Sequence, residues 1–168
     1  MVKIYSFTHS NDVNSLIMYI DNVLSKKYQQ EIFTYLESMS DFEKGNSYFG
    51  EIPRLQKWYH RKGQYFSKTW KCKTHKRWIS KEYDSKLSIL QKKMEIVVND
   101  NINEHTEFNS CLINKYRDGN DSIKPHRDTQ SSFGVYPVIA GISLGASRKI
   151  EFKRVLYDKD NIHSMKDD

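Results

Sequence analysis

The stretch "FNSCLINKYRDGNDSIKPHRD", residues 108–128, joins a strand pattern to a candidate pair of metal ligands. Its first part alternates, so Leu112, Asn114 and Tyr116 share one face of a predicted strand. "RDGND" then predicts a turn, because Gly119 permits backbone angles that other residues resist. The stretch therefore predicts a strand, a turn and then a short segment that ends in the triplet H-R-D.

The triplet His126-Arg127-Asp128 has two interpretations. H-R-D begins the catalytic loop of protein kinases, but that loop needs Asn at the fifth position after Asp, where this chain has Phe133. The chain also lacks a Gly-rich phosphate loop and a D-F-G motif. The kinase interpretation therefore fails.

The second interpretation is a metal site with H-x-D spacing. Strand alternation would place His126 and Asp128 on one face, so that an imidazole and a carboxylate converge on one ion. With a second histidine they would form the facial triad of non-haem Fe(II) oxygenases. The spacing alone is weak evidence, and a surface histidine among charged neighbours is the alternative.

The surrounding motifs carry a resemblance to a known family. Residues 108–128, followed by "PVIAGISLGASRKIEF" (residues 137–152), resemble the AlkB family of Fe(II)/2-oxoglutarate-dependent dioxygenases, and the resemblance covers almost the whole chain. "PRLQKWY" (residues 53–59) and "QYFS" (residues 64–67) resemble that family's nucleotide-recognition lid. The motif positions that match are Asn109, Leu112, Asn114, Tyr116, Asp121, Ile123, His126, Asp128, Ile139, Ser143, Leu144 and Gly145.

The order of elements, helices first and short strands later, predicts an α+β fold. The resemblance implies a double-stranded β-helix (jelly-roll) core with N-terminal helices, a nucleotide-recognition lid and an incomplete set of C-terminal strands. We expect a single domain, residues 1–168. Within it, residues 1–48 would be helical, residues 49–80 would form the lid, and residues 81–168 would hold a helix and a partial jelly-roll.

Helical spacing predicts two helices. Ser25 is a candidate N-cap for the first, whose buried face would hold Tyr28, Ile32, Tyr35, Leu36 and Met39. The second would bury Leu87, Leu90, Met94 and Val97. The apolar run at residues 16–24 fits either a strand or a helix. "YPVIAGISLG" predicts a buried strand, and the next strand would point Ile150 and Phe152 inward.

The resemblance implies roles for several residues of the core motif. His126 and Asp128 would be the catalytic pair and the first two iron ligands, and Asn114 and Tyr116 would hydrogen-bond 2-oxoglutarate. The implied cofactor is Fe(II), with 2-oxoglutarate as co-substrate and O2 as oxidant. The strand pattern independently places Asn114 and Tyr116 on one face.

The resemblance also implies substrate-binding residues. Arg54 matches a lid residue that contacts the nucleic-acid backbone, and Tyr65 and Phe66 match a region whose rings stack on the target base. The spacing there is one residue shorter than in the family, so which ring stacks stays open. Gln130 stands where the family has an acidic residue that reads the base, so base preference is expected to differ.

The activity implied by the resemblance is oxidative demethylation, a repair reaction on alkylated bases in DNA or RNA. Hydroxylation of an N-methyl group would release formaldehyde and succinate. The base must be flipped out or single-stranded to be reached. The alternative is a truncated, catalytically inactive nucleic-acid-binding module of the same fold.

The last part of the chain departs from the family pattern. The family's second iron-binding histidine lies further along, followed by two arginines that hold 2-oxoglutarate, whereas here no arginine follows Arg154. His163 is the only later histidine, and we interpret it as a polar tail residue rather than a ligand. We expect a fragment of a longer protein, or a missing segment or partner that supplies the third iron ligand, or lost catalysis.

Composition and charge indicate the kind of partner and the cellular environment of the chain. The net charge of +6 and the pI of about 9.1 suggest a polyanionic partner, with plain solubility as the alternative. Cys72 and Cys111 form no disulfide framework, and no run approaches ~20 apolar residues. We therefore expect a soluble, intracellular monomer that binds DNA or RNA carrying methylated bases and no membrane.

Overall fold

The structure, a computed structural model, describes residues 2–8, 14–47, 50–61, 80–102, 105–128, 133–134 and 137–152. Within them the chain forms six strands and two helices, and it divides into two units, Met1–Met39 and Ser40–Asp168. The mixture of helices and strands agrees with the predicted α+β class. Neither described helix is long and apolar enough to cross a membrane.

The first unit consists of a β-hairpin and a helix. Strands β1 (Val2–Thr8) and β2 (Asn14–Ile20) pair antiparallel, with Val2 opposite Ile20. The open question about residues 16–24 is thereby answered, because most of this apolar run lies in β2. Helix α1 (Lys26–Glu37) begins after Ser25, whose hydroxyl accepts the N–H of Tyr28 at 3.3 Å, as the N-cap prediction requires.

The predicted N-terminal helical part, residues 1–48, contains α1 but is not helical throughout. A hairpin precedes α1, and strand β3 (Glu43–Ser47) follows it. Of the predicted α1 face, Ile32 is buried, while its other members are half-buried. The β-branched and aromatic residues of "LIMYI" favour a strand over a helix, which explains why this part of the chain lies in β2.

The second unit is built on strand β4 (Gly50–His60), which pairs with three other strands. It runs antiparallel to β3 and to β6 (Ser110–Lys115), and parallel to the short β5 (Lys81–Glu82). The predicted strand in "SCLINKY" is confirmed as β6. The first part of the predicted lid, residues 49–80, is therefore a central strand, and most of its remainder lies outside the described residues.

Helix α2 (Ser85–Asn99) fixes the start of β6. Its N-cap Asp84 accepts the N–H of Leu87 at 2.9 Å. One turn before its end, Glu95 Oε1 accepts the backbone N–H of Phe108 at 3.0 Å, and the amide of Gln91 donates to the Phe108 carbonyl. Leu87 and Met94 are buried as predicted, while Leu90 and Val97 are half-buried.

Residues 137–152 do not form the strands that the sequence predicted. The described segment contains no strand, and Ile150 and Phe152 are 75% and 61% exposed instead of pointing inward. Alternation in a sequence produces a strand only where a neighbouring strand satisfies its backbone groups. No described strand pairs with this segment, so its apolar residues remain at the surface.

Replacing Leu87 by Ala tests the packing of α2. Leu87 is 4% exposed, so we expect Leu87→Ala to lower the free energy of unfolding by about 2–5 kcal/mol. Ile89→Ala is the matched control on the same helix, because Ile89 is 52% exposed and should change stability by less than about 0.5 kcal/mol. Urea denaturation followed by circular dichroism measures both. Equal effects of the two substitutions would contradict the described packing.

Candidate active site

One face of the β4–β6 pair carries the polar side chains of the candidate site. Gln56 lies directly opposite Asn114, and Leu55 lies opposite Lys115. Since alternate residues share a face, Arg54 and Gln56 lie on the same face as Asn114 and Tyr116. The prediction that Asn114 and Tyr116 share one face agrees with this register.

The amide of Asn114 has a fixed orientation. Arg54 Nε donates to Asn114 Oδ1 at 2.9 Å, and Gln56 Nε2 donates to the same oxygen at 3.3 Å. A guanidinium can only donate, so the atom that faces Arg54 must be the amide oxygen. The Nδ2 group of Asn114 therefore points elsewhere, and it donates to no residue that the structure describes.

Arg54 is a half-buried cation held by neutral acceptors. Besides Asn114, its Nη1 donates to the backbone carbonyl of Ser122 at 3.3 Å. Burial lowers the pKa of the Arg54 guanidinium, and the nearby Tyr116 raises it. Among the described residues no carboxylate pairs with Arg54. Its charge is therefore available to an anion.

Arg148 lies on Tyr116, a contact that the sequence did not predict. Its guanidinium carbon is 4.8 Å from the centre of the Tyr116 ring, within the range of a cation–π interaction. The same side chain donates to the backbone carbonyls of Asp121 and Asp118, at 2.7 and 2.5 Å. No local sequence pattern marks Arg148, because the contact joins segments that are distant in the chain.

The predicted turn after β6 is confirmed, and an ion pair between the exposed Arg117 and the buried Asp121 holds it. Asp121 is 4% exposed and accepts two hydrogen bonds from the Arg117 guanidinium, at 2.8 and 2.7 Å, and one from the Arg117 backbone N–H at 2.8 Å. These bonds hold the pKa of the Asp121 carboxyl well below its usual range. Asp118 Oδ1 accepts the N–H of Asn120 at 2.8 Å, the hydrogen bond of an Asx-turn.

The segment that follows the turn carries His126 and Asp128 and is fastened to β4. The backbone N–H of Ser122 donates to the carbonyl of Pro53 at 2.7 Å. The segment is not a strand, so strand alternation is the wrong reason for the convergence of the two side chains. They nevertheless converge, with His126 Nε2 3.7 Å from Asp128 Oδ1.

This pair fits a metal ion. Two ligand atoms at about 2.1 Å from one ion can be up to ~4.2 Å apart, so 3.7 Å allows both to bind it. His126 Nδ1 lies 2.9 Å from the carbonyl of Lys124, which fixes the tautomer that leaves Nε2 free, as in many metal-bound histidines. Both side chains are partly exposed, so water and small molecules can reach them.

Other predicted site residues cannot be placed in the same way. Tyr65, Phe66, Gln130 and His163 lie outside the described residues, and their roles stay predictions. Within the described residues no three His, Cys, Asp or Glu side chains form a group able to hold a metal. No hydrogen bond or ion pair between described residues joins the His126–Asp128 pair to Asn114 or Tyr116.

An imidazole and a carboxylate that converge are two of the three ligands in the facial triad of non-haem iron oxygenases. The chain belongs to the 2OG-Fe(II) oxygenase superfamily, which matches residues 17–166. Membership implies the jelly-roll fold of that superfamily, and the predicted family is confirmed.

Over part of its length the chain is similar to curated AlkB homologues. It is 38% identical over 68 residues to the bovine "alpha-ketoglutarate-dependent dioxygenase alkB homolog 3", covering 39% of this chain and 24% of the relative. The mouse protein of the same name is 50% identical over 50 residues, 30% of this chain and 17% of the relative. The bovine "DNA oxidative demethylase ALKBH2" is 44% identical over 46 residues, 27% of this chain and 16% of the relative. The matched part thus spans a quarter or less of each relative.

Replacing Asp121 by Asn tests the ion pair of the turn. Because the folded-state pKa of Asp121 is depressed, its ionised form favours the folded state above pH ~4, and this contribution is lost as the pH falls below that value. We expect Asp121→Asn to lower the urea midpoint at pH 7 and to differ less from the unmodified chain at pH 3. Asp100→Asn, an exposed helix C-cap, is the control. A pH-independent difference for Asp121→Asn would contradict the ion pair.

Proposed function

We propose that the chain acts in the oxidative demethylation of alkylated bases in DNA or RNA. The observation that carries this proposal is the His126–Asp128 pair, with Nε2 and Oδ1 3.7 Å apart and Nδ1 held by a carbonyl. Membership of the 2OG-Fe(II) oxygenase superfamily supports the same chemistry. The reaction converts an N-methyl group, O2 and 2-oxoglutarate into the free N–H, formaldehyde, succinate and carbon dioxide.

The described side chains divide into two roles in this proposal. His126 and Asp128 would hold Fe(II), which when bound supplies the redox chemistry that consumes O2 and 2-oxoglutarate together. Asn114 and Tyr116 would orient 2-oxoglutarate, because Nδ2 of Asn114 and the hydroxyl of Tyr116 donate to no described residue. Both groups suit a carboxylate acceptor.

A nucleic-acid substrate is supported by charge and by the relatives. The net charge is +6, and one bovine relative is named a DNA oxidative demethylase. Lys57 and Lys115 place two positive charges on the β4–β6 face opposite Asn114. Their ammonium groups lie 5.7 and 5.6 Å from the centre of the Phe42 ring. Tyr65, Phe66 and Gln130 would bind the target base.

A second candidate is a nucleic-acid-binding module without turnover. The observation that favours it is the lack, within the described residues, of a third metal ligand beside His126 and Asp128. Two protein ligands hold a metal less firmly than three. In this alternative the chain binds nucleic acid through its basic surface and does not catalyse demethylation.

Replacing His126 by Ala tests the enzyme. With Fe(II), 2-oxoglutarate and a methylated single-stranded oligonucleotide, we expect His126→Ala to reduce formaldehyde release at least about 100-fold. Even the outer partners of metal-bound histidines are worth about 10–100-fold. His105→Ala is the matched control, since the His105 side chain is 79% exposed, and it should retain full turnover.

The same assay separates the two candidates. Turnover that is lost in His126→Ala and kept in His105→Ala supports the dioxygenase. Absence of turnover in the unmodified chain, together with salt-sensitive oligonucleotide binding that His126→Ala does not change, supports the binding module. Turnover that survives in His126→Ala would rule out the proposed role of the pair.

A further inference from the structure

We infer that Arg54 belongs to the 2-oxoglutarate site, where it fixes the amide of Asn114 and meets a carboxylate of the co-substrate. This inference rests on the proposed function and deepens it. It differs from the sequence-based prediction, in which Arg54 contacts a nucleic-acid phosphate. The two assignments place the same guanidinium on different ligands, so they can be separated by experiment.

The first argument is an excess of donors. On one sheet face, Arg54 Nη2, Asn114 Nδ2 and the hydroxyl of Tyr116 have no acceptor among the described residues. Asn114 Oδ1, a side-chain acceptor beside them, already receives two hydrogen bonds. A partly buried group of donors needs acceptors, and a carboxylate supplies two oxygens that each accept more than one bond.

The second argument is charge. Arg54 is half-buried and bonded to an amide and a carbonyl, both neutral, and Arg148 places a second cation on the ring of Tyr116. The carboxylate of Asp121, which lies in the neighbouring turn, is engaged by Arg117 through two guanidinium hydrogen bonds. Buried charges are favourable only when paired, so a bound anion would stabilise this arrangement.

The third argument concerns access. Two of the three guanidinium nitrogens of Arg54 are bound within the sheet and to the segment at Ser122, which leaves Nη2 for a ligand. Phosphate contacts of nucleic-acid-binding proteins position the backbone and need no neighbouring amide or hydroxyl donors on the same face. A small dicarboxylate lying over Asn114 and Tyr116 can meet Nη2 on the same face.

The first experiment compares two ligands on one set of variants of the full chain. Binding of 2-oxoglutarate is measured by isothermal titration calorimetry with Mn(II) in place of iron, and binding of a labelled single-stranded oligonucleotide is measured by fluorescence anisotropy over a salt series. The variants are Arg54→Gln, Arg54→Lys and the control Lys92→Gln, which removes one positive charge from the exposed surface of α2.

We expect Arg54→Gln to raise the Kd for 2-oxoglutarate by about 10–100-fold, the effect of a hydrogen bond to a charged group. Oligonucleotide affinity and its salt dependence should match those of Lys92→Gln. The inference fails if Arg54→Gln leaves the 2-oxoglutarate Kd within about 2-fold, and a salt slope reduced by about one would assign Arg54 to phosphate instead. If the unmodified chain binds no 2-oxoglutarate, the proposed function itself fails.

The second experiment tests the orientation of Asn114 and does not depend on turnover. In Asn114→Asp one oxygen would still face Arg54 and form an ion pair, while the other would repel the carboxylate of the co-substrate. We expect a raised thermal midpoint together with at least about 10-fold weaker 2-oxoglutarate binding. The stabilisation should vanish in the Arg54→Gln background, and a lowered midpoint for Asn114→Asp alone would contradict the inference.

Arg54→Lys covers the case in which Arg54→Gln does not fold. Lysine keeps the positive charge but lacks the planar guanidinium that donates to Asn114 and to Ser122 at the same time. We expect a folded chain with at least about 5-fold weaker 2-oxoglutarate binding and an oligonucleotide affinity equal to that of the unmodified chain. Unchanged 2-oxoglutarate binding in Arg54→Lys would count against the inference.

Discussion

The register between β4 and β6 is the constraint on which the candidate site depends. Gln56 opposite Asn114 places Arg54, Asn114 and Tyr116 on one face, and the cation–π pairs of Lys57 and Lys115 on the other. A slip by one residue would move every side chain of β6 to the opposite face. The hydrogen bonds from Arg54 and Gln56 to Asn114 hold the register at the site itself.

The turn between β6 and the His126–Asp128 segment is held in one conformation by hydrogen bonds at both of its ends. Arg117 and Asp121 close it from within, and Arg148 bonds to its carbonyls from a later part of the chain. Ser122 fastens its exit to Pro53 on β4. The His126–Asp128 pair is therefore reached through a short, restrained path from Tyr116.

Sequence patterns predicted the helices and strands that are determined by residues close together in the chain. Ser25 and the helical stripe of α2 marked the helices, and alternation marked β6, because capping and amphipathic periodicity act over a few residues. The same patterns were wrong at Ile150 and Phe152, where no described strand supplies pairing. Arg148 on Tyr116 was invisible to them, because the packing of distant segments leaves no local signal.

The hydrogen bond from Arg54 to Ser122 joins residues that are 68 positions apart, and the bond to Asn114 spans 60. Contacts of such long range raise the contact order of the fold, which slows folding because loop closure must precede them. An anion that binds this face recognises only molecules in which β4 and β6 have paired. Such a ligand stabilises the folded state by an amount that rises with the logarithm of its concentration once that exceeds the Kd, so the supply of co-substrate would change how well the protein resists unfolding.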